Sequence, residues 1–260
     1  MSSAATEVGA VLLAGLVGLA VGSFLNVVIT RLPRGESPFR GRSRCPQCDA
    51  PLRWRDNLPL LSYLLLRGRC RACGGPIPWR YPLVELVSGL LAAALWLKFP
   101  ASPLLLAYAP FGAGLVALSF LDLEHFWLPD VLTLPLTLLG LLLSLVLPHL
   151  RWYEAFSGAL VGGGAFYLVA WGYYRLTGRE GLGLGDAKLL ALIGAFLGIR
   201  ALPWVVLMSA LMGAGAGAVL IWRERAGRLT PIPYGPFLAA AALLYLFFAD
   251  SPLVAGALWR

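Results

Sequence analysis

Long apolar runs recur through this sequence and leave few folds open to it. Eight stretches, at about 8–30, 82–98, 103–121, 128–147, 155–175, 186–200, 202–222 and 236–257, consist mostly of aliphatic, aromatic and small residues. A helix needs roughly 20 predominantly apolar residues to cross the hydrocarbon core of a bilayer. Inside that core its backbone groups must be satisfied within the segment, so helices are the expected form. The runs predict an all-α polytopic membrane protein of about eight transmembrane helices. Composition agrees: 59% of the 260 residues are hydrophobic and 13% are charged, against a usual charged share of about 25%. A water-soluble domain is excluded on those grounds.

The first run goes straight into Arg31, and no Lys or Arg precedes it. A secretory signal would begin with basic residues, so a retained span is expected. The chain then divides into a first transmembrane helix (1–33), a polar insert (34–80) and a helical bundle (81–260).

The formal net charge of +8 invites a nucleic-acid reading, which its distribution removes. Residues 31–81 hold eleven arginines, residues 175–188 add Arg175, Arg179 and Lys188, and residues 223–228 add Arg223, Arg225 and Arg228. With eight spans and an outside amino terminus these all fall on one side, leaving Lys98, Arg151, Arg200 and Arg260 on the other. That is the positive-inside signature of cytoplasmic loops. The basic charge reports topology first and contact with anionic lipid second.

The insert carries Cys45-Pro46-Gln47-Cys48 and Cys70-Arg71-Ala72-Cys73. Two such pairs suit one tetrahedral zinc, each pair supplying two thiolates. A reducing cytoplasmic side disfavours the alternative of disulfides. With four thiolates and no open position, the zinc at Cys45, Cys48, Cys70 and Cys73 is structural, stabilising an insert too small for its own core. Between the pairs, residues 58–66 are apolar but too short to span, and are expected to lie against the membrane or the bundle.

Several polar groups sit where they are costly, since an ionisable side chain at a helix centre costs about 2.5–3.5 kcal/mol on insertion scales. Asn26 lies deep in the first run, either as an interhelical hydrogen bonder or as a substrate contact. Glu85 lies one turn inside the second, either paired with an arginine of the insert or orienting a substrate amine. Asp122 ends the third run, and Asp186 opens the sixth within Gly183-Leu184-Gly185-Asp186-Ala187-Lys188. Asp130 has a structural role beside Pro129 at a helix start, and His125 reads as a local hydrogen bonder. Gly183 and Gly185 leave room for another backbone to approach Asp186, and Lys188 is placed to meet headgroups or substrate. Glycines four apart at 18/22, 158/162 and 213/217 read as close helix contacts.

Asp122 and Asp186 share one membrane level in the eight-span arrangement. Two carboxylates brought close do not both ionise easily, so one keeps a proton while the other acts as base. Such a pair can activate water against a peptide carbonyl. No HExxH zinc-protease motif or Gly-x-Ser-x-Gly nucleophile turn is present. The same carboxylates could instead relay protons or metal ions in a transporter, although their clustering near one face argues against it.

Eight stretches together resemble the prepilin peptidase family of membrane aspartyl peptidases. They are GSFLNVVITRLP at 22–33, the two cysteine pairs, DNLPLLSYLLLRGRC at 56–70, RYPLVELVSGLL at 80–91, DLEHFWLPD at 122–130, GLGLGDAKLLALIGAFLG at 181–198 and PIPYGPFLA at 231–239. Ala187 and Tyr234 depart from residues common in that family. The resemblance implies that Asp122 and Asp186 are catalytic. It also implies removal of a basic leader from type IV prepilins and type II secretion pseudopilins, at the cytoplasmic face of the bacterial inner membrane. Members with the four-cysteine insert also methylate the new amino terminus with S-adenosylmethionine, so both activities are expected. Asn26, Glu85, Gly183, Gly185 and Lys188 are the candidate substrate contacts. The partners are then prepilins and the lipid bilayer, with no nucleic acid.

Overall fold

The computed structural model describes residues 2–41, 43–45, 47–147, 150–178, 183–223 and 231–249. Among the described residues it is helical, without strands. The helices are α1 (Ser2–Arg31), α2 (Leu61–Leu65), α3 (Arg80–Lys98), α4 (Pro103–His125), α5 (Asp130–Val146), α6 (Trp152–Thr177), α7 (Leu184–Leu197), α8 (Ala201–Trp222) and α9 (Gly235–Phe248). All eight expected runs form helices. Five of them, α1, α3, α4, α6 and α8, are long and apolar enough to cross a membrane. Of the other three, α5 has 17 residues, α7 has 14 in a run expected to be short, and the described part of the last run gives 14 in α9. Fourteen residues rise about 21 Å, less than the roughly 30 Å of hydrocarbon. The causes are local: α7 starts only after Gly183 and stops at Gly198, whose φ of +80° ends the helix. The end expected for the last run, residues 250–257, lies outside the described residues, as do His149, Pro46, Gly181 and Leu182.

The chain forms two compact units, Met1–Ala117 and Leu118–Arg260. In the first, α1 and α3 run antiparallel and nearly touch along their backbones. A Cβ at Gly18 would lie 2.9 Å from Gly89 Cα, and one at Gly22 would lie 2.7 Å from Glu85 Cα. One turn further, the Asn26 side-chain amide donates to Tyr81 O at 3.0 Å. Without a hydrophobic drive between helices in lipid, small residues that admit such approach carry the association. Leu12, Leu13, Leu16 and Val17 of α1 stay exposed, as suits a surface turned to lipid rather than water.

In the second unit α7 is the buried centre, with Leu189, Leu192, Ile193 and Ala195 fully enclosed. Helix α6 packs on it through Gly158, where a Cβ would come within 2.5 Å of Gly194 O, and Gly162, where it would come within 2.7 Å of Leu190 O. Helix α5 meets the same helix at Gly140 and Phe196. The 213 position makes ordinary contact with Tyr234 and Phe237 at the start of α9. The 18/22 and 158/162 pairs therefore mark close helix contacts, whereas the one expected at 213/217 is not formed, since Gly217 meets only Ile232, ahead of α9, at 3.4 Å.

Candidate active site and metal centre

Asp122 lies in the last turn of α4 and is only 6% exposed. Burying a carboxylate requires hydrogen-bond donors, and one comes from far along the chain. The Gly235 N–H, in the first turn of α9, donates to Asp122 Oδ2 at 2.8 Å. Only glycine fits there, because a Cβ on residue 235 would lie 2.8 Å from Oδ2 and 3.2 Å from Cγ. Asp186 is half-buried in the first turn of α7, its own N–H donating to Gly183 O at 3.1 Å. Each carboxylate thus sits at a helix amino terminus, where unpaired N–H groups and the helix dipole favour negative charge. The two acids lie within electrostatic reach of each other, and the Tyr234 hydroxyl is within reach of Asp186. That hydroxyl is fixed by a 2.6 Å hydrogen bond with Ser209 Oγ.

Neighbouring candidates resolve differently. Lys188 Nζ forms an ion pair with Asp130 of α5, so its head is held by that helix instead of by lipid headgroups. Two positions along a helix, it turns away from Asp186. His125 and Glu124 form an exposed pair at 3.8 Å. The face of Gly185 that was expected to admit a substrate backbone is occupied by Leu128, whose Cβ and Cδ1 would lie 3.1 Å from a Cβ there. A Cβ at Gly183 would come within 3.3 Å of Asp186 Oδ2, so this glycine keeps the α7 side of the carboxylate clear. The Gly235 amide and Leu128 were not among the residues singled out from the sequence. The glycine between Tyr234 and Pro236 was the available sign, since a glycine opening a helix often marks a close approach.

The four cysteines converge in the first unit. Their sulfurs all lie within 4.8 Å of one another, none is in a disulfide, and Cys45 and Cys73 Sγ are 3.9 Å apart. Tetrahedral zinc–thiolate bonds of about 2.3 Å put sulfurs about 3.8 Å apart, so the set fits a metal ion. The two loops are built alike. Cys45 N donates to Ala50 O as Cys70 N does to Gly75 O, and Asp49 and Gly74 both take positive φ to donate back to the leading cysteine carbonyl. Amides of Cys73 and Ala72 aimed at the Cys70 sulfur lower its thiol to about 7, while the neighbouring thiols push Cys48 up to about 12.

Between the insert and the α1–α3 pair lies an open cavity of about 1490 Å³ within the first unit. Its buried lining includes Asn26 and Glu85, and exposed Arg34, Arg40 and Arg53 line it nearer solvent. Among the described residues no arginine side chain holds Glu85 in the way one expectation had it. Its Oε2 accepts the Leu60 N–H at 2.8 Å, and Ser23 of α1 stands beside the carboxylate. That bond docks the apolar segment around α2 on α3, as expected for residues 58–66. Acceptors inside and cations outside fit a ligand with a positive and a negative end, and S-adenosylmethionine has a sulfonium, an ammonium and a carboxylate.

Comparison with known proteins agrees with these features. Residues 16–99 match the family described as Bacterial Peptidase A24 N-terminal domain, and residues 109–218 match the Type IV leader peptidase family. Proteins named prepilin leader peptidase/N-methyltransferase are similar along almost the whole chain. One from Stutzerimonas stutzeri is 40% identical over 92% of this chain and 91% of its own length. One from Aeromonas hydrophila is 43% identical over 91% and 90%, and one from Dickeya chrysanthemi 45% identical over 89% and 90%. No solved structure matches the chain.

Proposed function

Because the chain belongs to the type IV leader peptidase family, we propose that it removes leader peptides from prepilins and pseudopilins through Asp122 and Asp186, and methylates the amino terminus so exposed. The observation that carries the peptidase half is the buried Asp122, anchored by the Gly235 amide within electrostatic reach of Asp186. The pair shares one proton. The ionised member takes a proton from water, whose oxygen attacks the scissile carbonyl, and the protonated member gives its proton to the reacting amide as the bond to nitrogen breaks.

The chain is a multi-pass membrane protein, placed in this reading in the bacterial inner membrane with its amino terminus outside. The insert and both aspartates then face the cytoplasm, a topology supported by the arginine asymmetry. An apolar substrate helix entering from the bilayer would present its leader there. Zinc is the metal proposed for Cys45, Cys48, Cys70 and Cys73. Methyl transfer uses S-adenosylmethionine, which supplies the methyl group, and Arg34, Arg40 and Arg53 are placed to meet its carboxylate. The transporter alternative has no support among the relatives.

Asp122→Asn and Asp186→Asn, each assayed for leader removal in membranes, should each abolish cleavage while leaving the protein folded. Cleavage at the parent rate by either variant would remove that residue from the mechanism.

A further inference from the structure

Among the described residues that line the cavity of the first unit, the buried Asn26 Oδ1 has no hydrogen-bond partner. Asn26 is 2% exposed, its amide nitrogen is used by Tyr81 O, and its Oδ1 accepts no hydrogen bond. A buried acceptor left open is costly and asks for a donor. Gly22 and Asn26 are one turn apart on α1, Tyr81 and Glu85 one turn apart on α3, and the two pairs meet. Two acceptors, one of them an acid, therefore line the buried part of the same cavity.

The acid is held there at a structural cost. Leu60 takes φ +57° and ψ −45°, a conformation that suits no branched side chain, and its N–H donates to Glu85 Oε2. Strain retained at such a place points to a function for what it positions. An arginine would have satisfied Glu85 with less distortion but would also have neutralised it. The neutral Leu60 amide orients the carboxylate and leaves its charge in place.

We propose that Asn26 Oδ1 and Glu85 bind the α-ammonium of the processed substrate, and that Glu85 takes the proton this nitrogen must lose before it is methylated. The inference rests on the methyl-transfer half of the function proposed above and assigns it residues. An ammonium brings several N–H donors to a pocket of acceptors, whereas a sulfonium brings none, and the methyl donor's own α-ammonium shares a carbon with the carboxylate assigned to Arg34, Arg40 and Arg53 nearer solvent. Glu85 accepts one proton from the ammonium, freeing the nitrogen lone pair. That pair forms the bond to the methyl carbon of the donor, the carbon–sulfur bond breaks with its electrons left on sulfur, and the carboxyl returns its proton to water. Apolar pockets for one ligand run to about 1,000 Å³, so this cavity has room for both reactants.

The ionisable groups near Glu85 on its own helix are Arg80 and Tyr81, and both engage Thr30 of α1. Ser23 from α1 and the Leu60 amide from the insert, its partners on the other elements, do not titrate.

The test uses the full chain in nanodiscs of phosphatidylglycerol and phosphatidylcholine, which carry no primary amine. Binding of the cleaved substrate segment is measured without methyl donor, with its amino terminus free or acetylated. The parent should prefer the free amine about tenfold or more. Glu85→Gln, which keeps the size and the Leu60 hydrogen bond, should lose that preference, and Glu85→Asp should keep most of it. With S-adenosylmethionine added, the methylated fraction of cleaved product should fall about 100-fold in Glu85→Gln near neutral pH. It should then recover about tenfold per pH unit toward the ordinary α-amino pKa of about 8, which a merely structural role would not produce. Equal affinity for both segments, or parent-like methylation by Glu85→Gln, overturns the proposal. So does a Glu85→Gln variant whose affinity falls for S-adenosylmethionine but not for S-adenosylhomocysteine, since the pocket would then hold the sulfonium. A parent chain that cleaves but never methylates would instead refute the methyl-transfer reading, while the donor-free binding still judges Glu85.

Discussion

Gly235→Ala is the sharpest probe of the aspartate pair, because it adds one methyl group and leaves both acids in the sequence. The added carbon would stand 2.8 Å from Asp122 Oδ2, 3.2 Å from Cγ and 3.3 Å from Cβ. An ordinary carbon–carboxylate contact is longer, so the carboxylate or the first turn of α9 must shift by several tenths of an ångström. Asp122 is 6% exposed and close-packed surroundings transmit such a shift instead of absorbing it. The same move lengthens the Gly235 N–H···Oδ2 hydrogen bond of 2.8 Å. A hydrogen bond to a charged group contributes about 1.5–3 kcal/mol, and misplacing a reacting group by about 1 Å costs on the order of 100-fold in rate. Leader removal should therefore fall about tenfold or more in kcat.

The assay is leader removal by purified protein in nanodiscs, read from the mass shift of the product, beside a thermal melt. Gly213→Ala is the control, since a Cβ there would meet Phe237 and Tyr234 at 3.6–3.7 Å, an ordinary contact. It should cleave at nearly the parent rate. If Gly235→Ala also cleaves at that rate while remaining folded, the Gly235 amide does not set the position of Asp122 and the reasoning fails.

Two further outcomes follow. Gly185→Val should impair cleavage because its side chain meets Leu128 at 3.1 Å, and Leu128→Ala in the same chain should restore part of the loss. Additive effects in that double-mutant cycle would deny the contact. Chelation, or Cys45→Ser, should remove about one zinc per chain by elemental analysis and expose residues 34–80 to protease, whereas an unchanged digest would mean the insert folds without metal.

The sequence made much of this molecule legible, and the boundary of what it revealed is physical. Helix periodicity and length are local properties, so the eight helices stood out from their apolar runs. Glycines four apart announced the α1–α3 and α6–α7 contacts, because only small residues let backbones approach so closely. Paired cysteines announced a shared centre, because each pair can offer two ligands to one metal. The partner of Asp122 was not legible in the same way. The Gly235 N–H lies 113 positions from it, and a backbone amide has no side chain to mark it. Lys188 and Asp130 are likewise 58 positions apart, joined only because α5 and α7 pack together. The space expected beside Gly185 was filled by Leu128, a residue outside any helix whose position depends on the turn at Phe126, where φ is +50°.

One arrangement occurs in each unit. Asp122 receives the Gly235 N–H at 2.8 Å, and Glu85 receives the Leu60 N–H at 2.8 Å. In each case a buried acid is anchored by a neutral backbone donor rather than by an arginine, in a chain with arginines in abundance. The choice has a chemical consequence. A guanidinium beside a carboxylate holds it ionised and opposes proton uptake. A single amide fixes one oxygen in place and leaves the charge uncompensated, so the group can still exchange a proton with a bound reactant. Orienting an acid without neutralising it is what a peptidase dyad and an amine-deprotonating group both require. The two anchors differ in kind: Gly235 leaves free the space where a Cβ would stand 2.8 Å from Asp122 Oδ2, and Leu60 aims its N–H at Glu85 from a backbone held at φ +57°.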